Sequence, residues 1–143
     1  MTNMNDRNLR VIEEFRTSDG KVGGGFSGAP MLLLSTLGAK TAQLRTNPLV
    51  YLPDGDRWII FASKGGAQAN PDWFHNIVAN PVVTLEIGAE AFEAYAEVII
   101  GDERDNLYAR QVELYPQFGE YERRTTRKIP VIALTRERRR QVS

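Results

Sequence analysis

Two neighbouring segments of period-two alternation most constrain what this chain can fold into. From Val83 to Ile87, apolar side chains alternate with Thr84 and Glu86. After a short Gly88–Glu90 break, alternation resumes over Phe92–Val98, with Phe and Ala on one side and Glu and Tyr on the other. This period is typical of β-strands that bury one face and expose the other. The chain is therefore expected to form a sheet with a distinct core face.

Apolar runs bounded by turn residues predict four more strands around this pair. These strands are Met31–Leu37, Leu44–Leu52, Arg57–Ser63 and Ile129–Thr135. Pro48 lacks a backbone N–H, which assigns the second of them to a sheet edge or a bulge. The turn residues Pro53–Asp56 indicate that the second and third strands form a hairpin.

Three helices are predicted between or before these strands. Asp6–Ser18 carries apolar residues at helical spacing. Asn70 as N-cap and Pro71 as first helical residue begin the second helix, which ends at Asn80-Pro81. Asp102 is expected to cap the third, and Pro116 to end it. About six mainly antiparallel strands with inserted helices indicate an α+β fold, a small barrel.

The 143 residues correspond to one compact domain with a leading segment. Residues 1–28 are interpreted as the first helix followed by a flexible linker at Gly23–Gly25, and residues 29–143 as the barrel domain. The first helix could close over a pocket or touch a membrane surface, and the sequence leaves both open. The tail Arg136–Gln141 is expected to be solvated, with a weak anion-binding role as the alternative.

Composition excludes several classes of function. The absence of cysteine excludes thiolate chemistry and sulfur-ligated metal sites, and His75 is the single histidine. Equal numbers of basic and acidic residues, 18 each, disfavour a nucleic-acid partner. No apolar run is long enough to span a membrane, and no secretion signal is recognisable, so a cytoplasmic location is expected. A bound cofactor is then the expected source of any difficult chemistry.

Three cations form the best candidate for a binding site. Lys40 and Arg45 flank a turn that begins at Gly38, and Lys64 precedes Gly65-Gly66. Placed at strand ends and close to a helix start, they are suited to hold an anionic ligand. The alternative is that they are ordinary surface charges. No cluster with metal-ligand spacing is present, and no metal is expected.

Aromatic residues give weaker candidates. Trp73 is interpreted either as core or as a ledge for a ring system. His75 is expected to be structural or exposed, because no carboxylate or second histidine lies at ligand spacing. Tyr108, Tyr115, Tyr121 and Phe118 either line a cavity or pack together.

Several stretches, taken in order, resemble one family. They are G-A-K-T-A-Q-L-R-T-N-P-L from Gly38, D-G-D, A-S-K-G-G, N-P-D-W-F-H-N, A-N-P, L-Y-P-Q-F-G-E-Y and R-K-I-P-V. Together they are similar to the deazaflavin-dependent nitroreductases, split β-barrel oxidoreductases that use coenzyme F420. The resemblance implies hydride transfer to a small acceptor such as a quinone or a nitro compound.

The resemblance also implies roles for individual residues. Lys40, Thr41, Arg45 and Lys64 would hold the phosphate and acidic tail of the coenzyme. The residues implied around the deazaflavin ring are Pro48, Val50, Ala62, Ser63, Gly65, Pro71, Trp73 and Asn76. Those implied on the acceptor side are Tyr115, Phe118 and Tyr121. Ser63 and Tyr115 are the candidate catalytic hydrogen-bond donors.

Two positions depart from the family pattern. Thr41-Ala42 stands where Ser-Gly is common, so the turn must close without that glycine. Phe118 replaces a tyrosine of the nitroimidazole-reducing members, which casts doubt on nitroimidazole reduction and leaves quinone reduction open. The alternatives are an FMN-binding split-barrel oxidoreductase and a non-catalytic deazaflavin carrier. A homodimer with Phe92 or Tyr95 in its contact and peripheral membrane contact through the first helix are further expectations.

Overall fold

The computed structural model describes residues 4–20 and 29–137. The helices are α1 (Met4–Thr17), α2 (Asp72–Ala79), α3 (Gly101–Leu114) and α4 (Gln117–Arg124), and Lys64–Gly66 forms a 3₁₀ turn. The strands are β1 (Met31–Leu37), β2 (Leu44–Val50), β3 (Leu52–Asp54), β4 (Arg57–Phe61), β5 (Val82–Ile87), β6 (Glu90–Ile99) and β7 (Val131–Arg136). Within these ranges, no helix is long and apolar enough to cross a membrane.

The strands form one antiparallel sheet in the order β2-β1-β5-β6-β7-β4-β3. Tyr51 alone separates β2 from β3, so a single bent strand supplies both ends of the sheet. The sheet therefore curls into a half-barrel, and β2 and β3 counted together give the six strands expected. The predicted α+β split-barrel fold is confirmed, and Pro48 lies on the terminal strand β2.

The concave face of the sheet holds the main core. Leu32 and Leu34 on β1 and Ile60 on β4 are fully buried there. Trp73 and Ile77 of α2 enter the same cluster. Burial of side chains this large contributes roughly 1.5–3 kcal/mol each, so the interior is a principal source of stability.

The convex face is covered by helices at two places. Ile12 and Phe15 of α1 pack on Met31 and Leu33 of β1, forming one outer cluster. A larger outer cluster lies under α3 and α4. Ile12 and Phe15 of the apolar face of α1 are thus covered by the barrel, whereas Leu9 of the same face is 62% exposed. The pocket between α1 and the β5–β6 hairpin, which Phe15 and Gly88 help to line, measures about 150 Å³.

The predicted strands and helices are all present, but several of their ends differ: β4 ends at Phe61 and β7 begins at Val131. Asn70 does not cap α2 and Pro71 is not helical, because Pro71 has an extended ψ of 155° and the Asn70 side chain bonds elsewhere. Asp102 lies inside the first turn of α3 and caps nothing, since the N-cap is Ile100. Helix α4 was not predicted. The Gly23–Gly25 linker, the boundary at residue 28 and the predicted tail beyond residue 137 lie outside the described residues. The first residue predicted for that tail, Arg136, instead ends β7 and pairs with Glu90.

Candidate functional site

The turn Gly38–Gln43, here called the lysine hairpin, joins β1 to β2. The Gly38 N–H donates to the Gln43 carbonyl at 2.7 Å, and the Ala42 N–H donates to the Gly38 carbonyl at 2.9 Å. Ala42 adopts a left-handed φ of 56°, a conformation that favours glycine. The turn thus closes without glycine at the Thr41-Ala42 position by straining an alanine. Lys40 and Thr41 are exposed at its tip.

Asn76 of α2 fixes the position of this hairpin. Its side-chain Nδ2 donates to Thr36 Oγ1 at 3.0 Å, and its Oδ1 accepts from the Ala39 N–H at 2.9 Å. Arg45 is paired with Thr36 in the β1–β2 register and so shares its face of the sheet. Among the described residues, the Arg45 guanidinium donates to Gln43 Oε1 alone, at 3.3 Å. Helix α2 is therefore bonded to the lysine hairpin next to Lys40 and to Thr36, the β1 partner of Arg45.

The charges of Lys40, Arg45 and Lys64 are not neutralised. Among the described side chains, no carboxylate lies within ion-pair distance of any of the three, and all three are exposed. Most other described cations have an acidic partner: Arg16, Arg57, Arg104, Arg110, Arg124, Lys128 and Arg136. Unpaired cations on turns fit an anionic ligand.

A second loop, Ser63–Asn70, is here called the glycine loop. It begins with the 3₁₀ turn, in which Lys64, Gly65 and Gly66 have φ values of 48°, 62° and 86°. Gly66 lies directly against α4, since a Cβ placed there would be 3.0 Å from the Tyr121 carbonyl oxygen and from Arg124 Cβ. Glycine is therefore required at this position both for its φ and for the close approach.

Ser63 leads into this loop from β4. The residue is only 8% exposed, and its hydroxyl makes no hydrogen bond to any described residue. Ala62 before it is fully buried, and its N–H donates to the Pro130 carbonyl at 3.0 Å. Ser63 thus offers a hydroxyl that the fold itself does not use.

Two residues that the sequence analysis did not single out hold the glycine loop. Arg127 donates to the carbonyls of Ser63 and Ala67 and to the side chain of Asn70, and Gln68 bonds back to the segment before Arg127. Burial lowers the pKa of Arg127. The available signal was its position in R-K-I-P-V, one of the stretches that carried the family resemblance.

The aromatic set forms a packed cluster beneath α3 and α4. The Phe118 ring contacts those of Tyr121, Phe61, Tyr115 and Tyr108 at centroid distances of 5.1, 5.8, 6.4 and 6.5 Å. The Tyr108 hydroxyl donates to the Phe118 carbonyl at 2.7 Å, and burial raises the pKa of Tyr108. Tyr115 and Tyr121 are partly buried, and their hydroxyls bond to no described residue. Those two hydroxyls are the ones left for a ligand.

The other predicted site residues do not lie together at one place in the barrel. Trp73 and Pro71 are buried, so Trp73 belongs to the core in this structure. Pro48 and Val50 share the convex face with Leu33 and Met31, the opposite face from Trp73. The structure thus does not bring Pro48 and Val50 together with the Trp73–Asn76 group. His75 is exposed beside Phe74, and the described residues contain no cluster that could hold a metal.

The curled antiparallel sheet with its helices is a split-barrel architecture, and the unpaired cations and the aromatic cluster mark its candidate ligand site. The sequence profile of the F420H(2)-dependent quinone reductases matches residues 8–136. An F420H(2)-dependent quinone reductase of Mycobacterium tuberculosis (strain ATCC 25618 / H37Rv) is 41% identical over 128 residues, 85% of each chain. The chain belongs to the F420H(2)-dependent quinone reductase family.

Solved structures agree with this assignment. An F420H2-dependent reductase, FDR-A, superposes with a TM-score of 0.67 at 35% identity, covering 73% of this chain and 93% of the other. A structure described as a domain-swapped dimer gives 0.69 at 32% identity, covering 92% and 96%. Coenzyme F420 and an oxidoreductase activity are therefore properties of this family. The family name given by the comparison is quinone reductase, and the nitroreductase name is not confirmed.

Proposed function

We propose that this chain uses reduced coenzyme F420 to reduce a quinone, with the lysine hairpin and the glycine loop holding the coenzyme. The observation that carries the proposal is the set of three exposed cations without acidic partners, in a chain of this family. Helix α2 connects the two loops, because Asn76 bonds to Ala39 and Thr36 at the lysine hairpin and the glycine loop runs directly into α2. One extended ligand could therefore reach both loops.

Lys40 and Arg45 are proposed to hold the phosphate and the acidic tail, with Thr41 beside them and Lys64 assisting. Arginine offers two parallel donors to a phosphate or carboxylate, whereas lysine offers a compact charge. Ala62, Ser63 and Gly65 would face the ring system, beside Pro71, Trp73 and Asn76. Pro48 and Val50 lie on the other face of the sheet and are left out of this group. When bound, the reduced coenzyme supplies the hydride, and the protein supplies orientation.

The acceptor is proposed to lie beside α4. Tyr115, Phe118 and Tyr121 would contact it, and the hydroxyl of Ser63 or Tyr115 would donate to the oxygen that becomes negative. Support for this role is that neither hydroxyl bonds to another described residue. A quinone is the proposed class. A nitro compound is the second class, with the reservation that Phe118 carries no hydroxyl.

Coenzyme binding is tested by fluorescence titration of the wild type and of Lys40→Gln and Arg45→Gln. Each substitution is expected to raise Kd by about tenfold or more, since a hydrogen bond to a charged group contributes roughly 1.5–3 kcal/mol. Arg10→Gln is the matched control, because Arg10 is exposed on α1 and has no described partner. Equal Kd values for Arg45→Gln and Arg10→Gln would falsify the assignment of the hairpin. A preference for FMN in a parallel titration would overturn the choice of coenzyme.

Turnover is tested with menadione as acceptor. Steady oxidation of reduced F420 supports the enzyme, whereas tight binding without turnover supports a carrier. Ser63→Ala and Tyr115→Phe are expected to lower kcat, by up to roughly 10²–10³-fold for a donor to the developing charge. If kcat is unchanged in both variants, neither hydroxyl has the proposed role.

A homodimer is the proposed assembly, supported by the relative described as a domain-swapped dimer. Tyr95 is 47% exposed on β6 and is available for a contact. Phe92 is partly buried, with its ring 5.3 Å from that of Trp58, and is a poorer candidate. Light scattering at several concentrations tests the assembly. The cytoplasmic location and the lipid contact of α1 stay predictions.

A further inference from the structure

We infer that Arg127 is a positioning residue: its guanidinium holds the glycine loop in the conformation that binds the coenzyme. Gln68 makes the reciprocal contacts from the loop. The inference rests on the proposed function, because it assigns a purpose to the loop that carries Ser63 and Lys64. It concerns a residue outside every group so far assigned to coenzyme or acceptor.

The guanidinium of Arg127 contacts the glycine loop at its start, middle and end. Nη2 donates to the Ser63 carbonyl at 2.9 Å, Nε to the Ala67 carbonyl at 2.9 Å, and Nη1 to Asn70 Oδ1 at 2.7 Å. A planar fork of five N–H donors can bond to three acceptors at once, which a lysine cannot reproduce in this geometry. One side chain therefore fixes the path of the whole loop.

Gln68 binds the same two segments in the opposite direction. Its Nε2 donates to the Arg124 carbonyl at 3.0 Å, and its Oε1 accepts from Thr125 Oγ1 at 3.1 Å. The segment Arg124–Arg127 and the glycine loop are thus cross-linked by side chains from both sides. Because this segment continues α4, the loop on the coenzyme side is fastened to the helix on the acceptor side.

The glycine loop needs such external support. Lys64 is held at a φ of 48°, which is unfavourable for a residue with a Cβ, and Gly65 and Gly66 beside it have wide conformational freedom. Inside the loop, the Gly66 N–H donates to Ser63 and the Ala67 N–H donates to Lys64. Without the Arg127 contacts, the loop is expected to populate other conformations for much of the time. Apparent Kd rises as the fraction in the binding conformation falls.

The first test is limited trypsin digestion without coenzyme. The exposed Lys64 lies in the glycine loop, and the exposed Lys40 in the lysine hairpin serves as an internal reference. Arg127→Met is expected to speed cleavage after Lys64 by about tenfold and to leave cleavage after Lys40 unchanged. Arg127→Lys is expected to behave almost as Arg127→Met, because charge without the fork does not restore the three bonds.

Arg104→Met is the matched control. Arg104 is 6% exposed and donates twice to the Ile129 carbonyl, at 2.8 and 3.2 Å, but does not contact the glycine loop. Arg104→Met therefore removes a buried guanidinium of α3 that bonds to the segment following Arg127, and it lowers stability without freeing the loop. Cleavage after Lys64 relative to Lys40 is expected to match the wild type in this variant.

The second test is titration of the same variants with F420. Arg127→Met and Gln68→Met are expected to raise Kd by about tenfold and severalfold respectively, whereas Arg104→Met stays within twofold of the wild type. If Arg127→Met does not fold, Arg127→Lys and Gln68→Met give the same comparison. Cleavage and Kd that change equally in the Arg104 and Arg127 variants would overturn the inference. Failure of the wild type to bind F420 would instead reject the proposed function, while the digestion still decides whether Arg127 holds the loop.

Discussion

Replacing Ala42 by glycine should stabilise this protein, although glycine usually destabilises. Ala42 closes the lysine hairpin at a φ of 56°. In that conformation the Cβ approaches the following carbonyl oxygen, at a cost of roughly 1–2 kcal/mol for a residue other than glycine. Ala42→Gly removes this strain and keeps the N–H that donates to the Gly38 carbonyl.

The magnitude follows from two opposing contributions. Relief of the strain gives roughly 1–2 kcal/mol, and the larger conformational freedom of glycine in the unfolded chain subtracts roughly 0.4–1 kcal/mol. A net gain of about 0.5–1 kcal/mol is expected for Ala42→Gly. For a domain of this size, that corresponds to an increase in Tm of about 2–4 °C.

Ala39→Gly is the matched control in the same hairpin. Ala39 is exposed and does not have a positive φ, and its N–H bond to Asn76 survives the substitution. Ala39→Gly then changes only the conformational freedom of the unfolded chain, so its free energy of unfolding should fall by roughly 0.4–1 kcal/mol. The difference between the two variants isolates the strain at Ala42, about 1–2 kcal/mol.

Urea unfolding followed by circular dichroism measures both variants. Equal m-values are required, so that the shift in midpoint reports stability alone. If Ala42→Gly and Ala39→Gly are destabilised to the same extent, the hairpin stores no strain at Ala42. The closure of the turn at the Thr41-Ala42 position would then need another explanation.

Three further predictions concern polar groups that lie on α3 or bond to it. Gln111→Met should raise the free energy of unfolding by roughly 1–2 kcal/mol. The reason is that the amide of Gln111 is fully buried and has no partner among the described residues. A lower stability of this variant in urea would contradict the prediction. Tyr108→Phe should lower the free energy of unfolding by roughly 1–3 kcal/mol, because the buried Phe118 carbonyl loses its hydrogen-bond donor. An unchanged Tm would show that this hydrogen bond does not contribute. Hydrogen bonds from Arg110 and Arg57 lower the pKa of Asp54, so its contribution is present above the unfolded pKa of about 3.9 and is lost as pH falls through the folded value. Asp54→Asn should therefore flatten the decline of stability below about pH 4, and an identical acid profile would count against it.

Strand prediction succeeded where the signal was local. The apolar run Met31–Leu37 coincides with β1, and alternation placed Ala94 and Ala96 inside and Tyr95 outside. The predicted helix caps were wrong where a contact distant in sequence competes with the local pattern. Asn70 has the composition of an N-cap, but its side-chain oxygen accepts from Arg127, which is 57 residues away. Such a competing donor is not visible in a local pattern.

In the candidate site too, features set by local sequence were predicted and features set by distant contacts were not. The exposure of Lys40, Arg45 and Lys64 beside their turns follows from glycine placement, which is local. The face on which Pro48 lies depends on the register of β2 against β1, and a shift of one residue would reverse it. Arg127 was missed because its importance comes from three acceptors in a loop distant in sequence.

The single residue between β2 and β3 limits how this chain can change in length. The ribbon from Leu44 to Asp54 pairs with β1 over its first part and with β4 over its last part. An insertion or deletion near Tyr51 would shift one half against the other and exchange the inward and outward side chains of that half. The position of Arg45 relative to β4, the strand that leads to Ser63, would then change. Tolerated insertions are therefore expected at the outer helices and their connections, and the spacing between the two cation-bearing loops is fixed by the barrel.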